Sequence, residues 1–351
     1  MPRVLGIDPG TVSIDVCGLA DGQLYLDTAW PTGEALADPD RCVAELSRPG
    51  LPDLVVGPSG YGLPLCRAAA VTEAELRLAF LAAPEETGGI GGLRGFARRL
   101  ARSGLPVMYT PGVIHLDTVP EHRKLNRVDL GTADKLCSAA LAIADQQGRT
   151  GRSPAEVSLI LLELGGAFSA ALAVHRGQVV DGLGGSSGPI GWQSAGALDG
   201  EVAFLAGRVT KEMLFHGGVQ SVSQGAPARR ATALDAYVEG AVKAVRQLRL
   251  AAPEADEVLL SGRVGADAAM LQRLTPALSD IGAVRLLTGF AARAKQGAQG
   301  AALIADGLAG GAHRALVERL RVKEAKGTVL DHLYIISPDA ARRRLGLVSD
   351  A

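Results

Sequence analysis

One local pattern occurs twice along the chain: an apolar strand, an acid-led turn containing glycine, a second strand, a glycine turn and a third strand. The first copy runs through Val4-Leu5-Gly6-Ile7, Asp8-Pro9-Gly10-Thr11, Ser13 to Leu19, Asp21-Gly22 and Leu24 to Asp27. The second runs through Val157 to Leu162, Glu163-Leu164-Gly165-Gly166, Phe168 to Val174, His175-Arg176-Gly177 and Gln178-Val179-Val180. Short apolar runs bounded by Gly, Pro and Asp predict buried strands, and the tight glycine turns predict hairpins. The copies share few residues, so the repeat is one of structural order, with a period near half the chain.

The remaining segments alternate helix and strand. Helical spacing predicts helices over Thr72 to Phe80, Leu93 to Ser103, Leu130 to Gln147, Ala233 to Leu248, Ala266 to Leu274 and Gln299 to Leu308. Leu54-Val55-Val56, Val107-Met108-Tyr109, Glu257 to Leu260 and Val284-Arg285-Leu286 read as strands. Ala315 to Lys326 reads as a charged helix followed by an apolar run at Leu333 to Ile336. Gly, Ser and Pro at positions 147–154 suit a linker. The expected domains are therefore 1–150 and 151–310, with a helical tail at 311–351.

Composition removes several classes of function. The chain has 351 residues, 47% of them hydrophobic and 21% charged, which describes a globular protein. A net charge of −1 leaves no global footprint for nucleic acid, and 4% aromatic residues offer little base stacking. The four cysteines form no CxxC pair, against a zinc site or disulfide framework and in keeping with a reducing cytoplasm. The chain opens directly into a strand, unlike a signal peptide. Val157 to Val174 is the most membrane-like stretch, yet Glu163 and Gly165-Gly166 suit two buried strands better than a span. No membrane or nucleic-acid partner is expected.

The acid-led turns are the candidate chemistry. A carboxylate at the end of a buried strand positions a hydrated Mg²⁺, while the following small residues expose N–H groups to phosphate oxygens. Asp8 with Gly10 and Thr11 offers this once, and Glu163 with Gly165 and Gly166 offers it again. An Asp-Pro-Gly turn also serves as a plain hairpin connection; it is the paired occurrence that favours function. Leu260-Ser261-Gly262-Arg263, a strand end entering a glycine turn, suits the floor of an adenosine site or an ordinary strand-to-helix connection.

These residues resemble the actin-like ATPase and sugar/acetate kinase superfamily over about residues 4 to 310. The two phosphate turns, the adenosine turn at Ser261, Gly262 and Arg263, and two connecting helices beginning near Gly131-Thr132-Ala133-Asp134-Lys135 and Ala294-Lys295-Gln296-Gly297 follow the family order. The stretches Leu164 to Ser169 and His175 to Asp181 look like those of butyrate and acetate kinases. The chain as a whole resembles a prokaryotic family labelled predicted butyrate kinase. The resemblance implies an α/β fold of duplicated actin/hexokinase/acetate-kinase-like (ribonuclease-H-like) domains with a central interdomain nucleotide cleft. It implies a kinase using ATP and Mg²⁺ on a small-molecule acceptor, with Asp8 and Glu163 as metal ligands, and is compatible with a homodimer. The family's usual His before the second turn is Glu163 here, and its arginine-rich substrate motif has only Pro120 to Arg127 as a counterpart.

A carboxylate acceptor needs cations, for which Arg123, Lys124 and Arg127 stand ready, or form an exposed basic loop. A hydroxyl acceptor needs a base, and Asp134 at a helix start is the candidate, with capping as its other reading. Ser59 and Ser186 are candidate pocket residues, the latter in the small-residue loop Asp181 to Pro189. A Ser59 nucleophile elbow lacks its second glycine, since Tyr61 stands there. Gly88 to Gly95 fits no dinucleotide fingerprint and reads as a connection or an anion contact at the next helix. A non-kinase ATPase acting on a partner protein, or a degenerate nucleotide-binding protein, is the alternative to a kinase.

Overall fold

The computed structural model describes residues 2–10, 12–48, 50–83 and 90–348. The chain forms two units: one comprises 1–128, 132–149 and 289–351, the other 129–131 and 150–288. In chain order, the first unit begins with β1 (Arg3–Pro9), β2 (Ser13–Ala20), β3 (Gln23–Pro31), α1 (Thr32–Ala37), α2 (Pro39–Ser47), β4 (Leu54–Pro58) and β5 (Cys66–Arg67). It continues with α3 (Glu73–Phe80), α4 (Ile90–Ala101), β6 (Val107–Thr110), α5 (Glu121–Lys124) and α6 (Ala133–Thr150). The second unit holds β7 (Leu159–Leu164), β8 (Ser169–His175), β9 (Gln178–Leu183), α7 (Gly200–Ala206), α8 (Val219–Gly225), α9 (Arg230–Arg249), β10 (Glu257–Ser261), α10 (Ala268–Leu278) and β11 (Ala283–Leu286). The chain then returns to the first unit for α11 (Gln296–Leu308), α12 (Arg314–Leu320) and α13 (Pro338–Arg344).

The duplication is present in backbone register. The sheets run β3-β2-β1-β4-β6-β5 and β11-β10-β7-β8-β9, so the first three strands and their parallel neighbour recur in the same order. Adding 155 to each residue number carries the first hairpin onto the second. Asp8↔Asp15 becomes Glu163↔Ala170, and Ala20↔Gln23 becomes His175↔Gln178. The register shift between Gly18 and Leu19 recurs between Ala173 and Val174. Even the tight turns correspond: Asp21 and Gly22 have φ of 54° and 75°, Arg176 and Gly177 of 50° and 73°. Both central residues lie at positive φ, as a type I′ hairpin turn requires.

Strand alternation sorts the first unit into two layers. Leu5 and Ile7 of β1, with Ile14 and Val16 of β2, face Ala35, Val43, Leu46, Phe80, Phe96 and Leu100 from the helices α1 to α4. The opposite face of β1 presents Gly6, whose added Cβ would sit 2.1 Å from Ala302 N of α11. A Cβ on Gly300 would sit 1.7 Å from the Cys137 carbonyl of α6. Only glycine permits these two approaches, which seat α11 in the first unit. The expected second domain ending at residue 310 is therefore corrected: the segment from Gly289 belongs with β1. The expected tail helix is also shorter, because Arg321 turns left-handed at φ 56° and its guanidinium pairs with Asp117. The apolar run after it forms no helix or strand, and Tyr334 and Ile335 are exposed.

The second unit packs Ile160, Leu162 and Leu164 of β7 and Val258 and Leu260 of β10 against Tyr237, Val245 and Leu248 of α9 and Leu274 of α10. The expected pair of buried strands over 157–174 is β7 and β8. Among the described residues, no helix is long and apolar enough to cross a membrane.

Candidate active site

In the first unit, β1 ends by delivering Asp8 beside the first turn of α11, where a Cβ on Gly297 would lie 2.5 Å from Asp8 Oδ2. The Asp8 carboxyl is pushed up to about 7, first by burial and then by the charge of Asp134; Lys135 and Lys295 pull against them. Asp134, at the start of α6, goes the other way: burial raises it, but Lys135 and the Thr132 hydroxyl more than offset that and hold it below the usual range. Thr132 Oγ1 donates to Asp134 Oδ1 at 2.5 Å and Lys135 Nζ to Oδ2 at 2.7 Å. Two neighbouring carboxyls driven apart in acidity are the mark of a site that manages charge.

A further acid supports this pair. Asp15 on β2 is 1% exposed and receives Ser13 Oγ at 2.7 Å and Lys295 N at 3.2 Å, with Lys295 Nζ 3.1 Å away. Asp27 on β3 accepts the backbone N–H groups of Ala292, Arg293 and Ala294, fixing the turn that leads into α11. Sequence reasoning missed both roles. The available signal was a charged residue inside otherwise apolar β2, since a buried acid needs a partner.

The glycine turns behave differently from expectation. Gly10 N donates to Ser13 O at 2.9 Å, and Gly165 N donates to Phe168 O at 2.9 Å, again 155 residues on. Both amides close their hairpins, so these two N–H groups are not phosphate donors. A Cβ at either position would come within 2.9 Å of the same acceptor oxygen, so glycine serves closure here. Thr11 lies outside the described residues. Gly166 has open space around its Cα and lines a cavity.

That cavity, about 370 Å³, lies within the second unit and is bounded by Gly166, Trp192, Arg230, Arg263, Val264, Asp267, Met270 and Arg273 among others. The turn after β10 shapes it. Gly262 takes φ 81°, and its Cβ would lie 2.5 Å from Leu164 O, while Val264 N donates to that carbonyl at 2.9 Å. Ser261 is 3% exposed, with its hydroxyl unpartnered among the described residues, whereas Arg263 is exposed at the cavity wall. Glu163, partly buried, pairs with Ala170 and Ser261 in the sheet. It stands where the 155-residue shift carries Asp8.

Two of the expected substrate residues, Ser59 and Ser186, are engaged in hydrogen bonds within their own units. Ser59 is buried, donates to Thr110 O at 2.7 Å and accepts Leu63 N at 2.9 Å, so it braces a turn. Arg127 is exposed and Arg123 half-buried, and Lys124 is buried with Nζ on Leu116 O at 2.7 Å. The basic run is thus no cluster of three available cations. Ser186 donates both N–H and Oγ to Asp129 Oδ2, each at 2.9 Å. Asp129 is 4% exposed and also accepts Gly131 N at 3.2 Å, so this carboxylate clamps the 183–188 loop. Of the loop 88–95, Gly88 and Gly89 lie outside the described residues.

The donor set fits Mg²⁺ in one manner only. No group of three or more His, Cys, Asp or Glu side chains able to hold a metal is present among the described residues. Mg²⁺ does not need one, because it takes one or two carboxylates, keeps waters and shares substrate phosphates. Asp8, buried beside a second carboxylate and accepting no hydrogen bond among the described residues, suits that mode.

Known structures share this fold. The acetate kinase of Entamoeba histolytica superposes with a TM-score of 0.56 at 12% identity, covering 80% of this chain and 87% of that one. The acetate kinase of Porphyromonas gingivalis gives 0.55 at 15%, over 80% and 88%. A propionate kinase from Francisella tularensis subsp. tularensis gives 0.56 at 14%, over 80% and 89%. The fold is accordingly the duplicated α/β fold of the actin-like ATPases. No curated protein matches the sequence. Across residues 6–335 the chain matches a family model described as "Protein of unknown function (DUF1464)", and it belongs to that family.

Proposed function

We propose that this protein is an ATP- and Mg²⁺-dependent phosphotransferase whose acceptor is a small metabolite, with a short-chain carboxylic acid such as butyrate as the first candidate. The observation that carries the reading is the Asp8–Asp134–Lys135 group at the end of β1. Phosphoryl transfer asks mainly for positioning and charge neutralisation. Bound Mg²⁺ would neutralise phosphate oxygens, and Asp8 would hold it. Lys135 and Lys295 place cationic charge around the same carboxylate. In the second unit, the Gly166 and Arg263 cavity would take the nucleotide, with Glu163 as the second acid. The four cysteines are free thiols, in keeping with a proposed place in the cytoplasm.

The acidity of Asp134 bears on the acceptor. Its ion pair with Lys135 makes it a weak base, poorly suited to deprotonating a hydroxyl. A carboxylate acceptor is already a nucleophile and needs no base. ADP release with acetate, propionate or butyrate present, trapped as the hydroxamate of an acyl phosphate, tests the proposal. Asp8→Asn is expected to reduce turnover at least 100-fold, on the order of what one electrostatic group contributes. An unchanged rate sinks the metal assignment. The committed Lys124 and Ser59 favour a second reading, an ATPase acting on a partner protein. Steady hydrolysis indifferent to every acceptor would select it.

A further inference from the structure

We propose a small-molecule anion site on the first unit, on the sheet face opposite Asp8, built around Arg94 and independent of the phosphotransferase reading. Ile7 points into the layer of α1 to α4, and the next residue, Asp8, points at α11. Alternation along β1 therefore puts the two faces, and the two sites, on opposite sides of one sheet. On the helical side a cavity of about 390 Å³ is lined by Leu36, Pro39, Gly92, Arg94, Phe96 and Arg98.

Arg94 makes this cavity more than a gap between helices. It is only 7% exposed, and among the described residues its buried Nη1 has no hydrogen-bond partner. Among the described residues its acidic neighbour is Glu73, which approaches no closer than 4.0 Å. That carboxylate is already held by Arg98, through Nε at 3.0 Å and Nη2 at 2.6 Å. Two guanidinium groups thus share one carboxylate, and the surplus positive charge sits on the more buried of them. A buried cation short of a counter-charge is costly, and an arriving anion removes that cost. The planar fork of Arg94 suits a carboxylate or phosphate oxygen pair, while Leu36, Pro39 and Phe96 accommodate a short apolar portion. The ligand is a small carboxylate- or phosphate-bearing metabolite.

The test is thermal unfolding of the full chain, without nucleotide or Mg²⁺, titrated separately with inorganic phosphate and with butyrate. The expected result is a saturable rise in Tm with at least one probe, the effective probe identifying the head group. Asp8→Asn keeps the rise, and Arg94→Met loses it while melting no lower than wild type without anion. Should Arg94→Met fail to fold, Gly95→Glu replaces it: Gly95 lines the cavity, its Cβ meets nothing within 4 Å, and the acid supplies an internal counter-charge. Gly95→Glu is expected to abolish the probe response. No rise with either probe in the wild type overturns the site. So does an equal rise in wild type and in the Arg94→Met or Gly95→Glu protein.

Discussion

A carboxyl group held near neutrality binds its proton more tightly in the folded chain than in the unfolded one, and Asp8 is such a group. Above pH 7 the folded protein bears a buried charge that the unfolded chain carries in water, so Asp8 lowers stability there. As pH falls through about 7, Asp8 protonates in the folded state first, and the penalty fades until both states are protonated near pH 4. Metal-free Asp8→Asn should therefore be more stable than wild type by on the order of 1–3 kcal/mol at pH 8, with the gain vanishing near pH 4. Urea unfolding at both pH values measures it, and a gain that does not depend on pH contradicts the cause given. Protonation of His115 works in the opposite sense. Burial holds its imidazole below the ordinary range, and among the described residues its Nε2 has no hydrogen-bond partner. Its contribution is complete above about pH 6.5 and is lost as pH falls below that value. His115→Gln should flatten that acid limb of the stability curve.

Among the elements, α11 depends on glycines that admit it. Gly300→Ala puts a methyl into the Cys137 carbonyl and should cost about 1–3 kcal/mol or more, because backbone cannot yield as a side-chain tip can. Gly148→Ala at the exposed C-terminal end of α6 has open space and should instead gain about 0.5–1 kcal/mol from helix propensity. Chemical denaturation of the pair separates packing from propensity. The same contrast explains what could be read in advance. The strands of both hairpins and the helices α6, α9 and α11 show in the sequence: α9 buries one stripe, whereas α6 and α11 bury long unbroken runs of small and apolar residues. The end of α12 does not, because the helical pattern continues past Arg321 and the interaction that stops it is with Asp117, 204 residues away. Asp8 and Asp134 were legible because strand ends and helix starts are local features. The Asp129 clamp on Ser186, spanning 57 residues, and the inward turn of the Gly10 amide depend on tertiary position and leave no local trace.

For the whole molecule, the first unit is assembled from three chain segments and the second is inserted among them. The only two tryptophans fall one in each: Trp30 in the first core, Trp192 edge-on to Tyr237 at 6.2 Å in the second. Gly6→Ala, which strikes α11, should lower the unfolding midpoint reported by Trp30 in a Trp192→Phe background. It should move the Trp192 signal less in a Trp30→Phe background; equal shifts would show a single cooperative unit. The 155-residue correspondence has a different use. A molecule that builds one hairpin twice contains its own control experiment, in which any residue differing between the copies at equal register is one the shape does not demand. Asp15 answers to Ala170, and Ser13 to Phe168, in strands that pair alike. The hairpin itself therefore does not require the buried acid and its serine; in the first copy they answer to Lys295 instead.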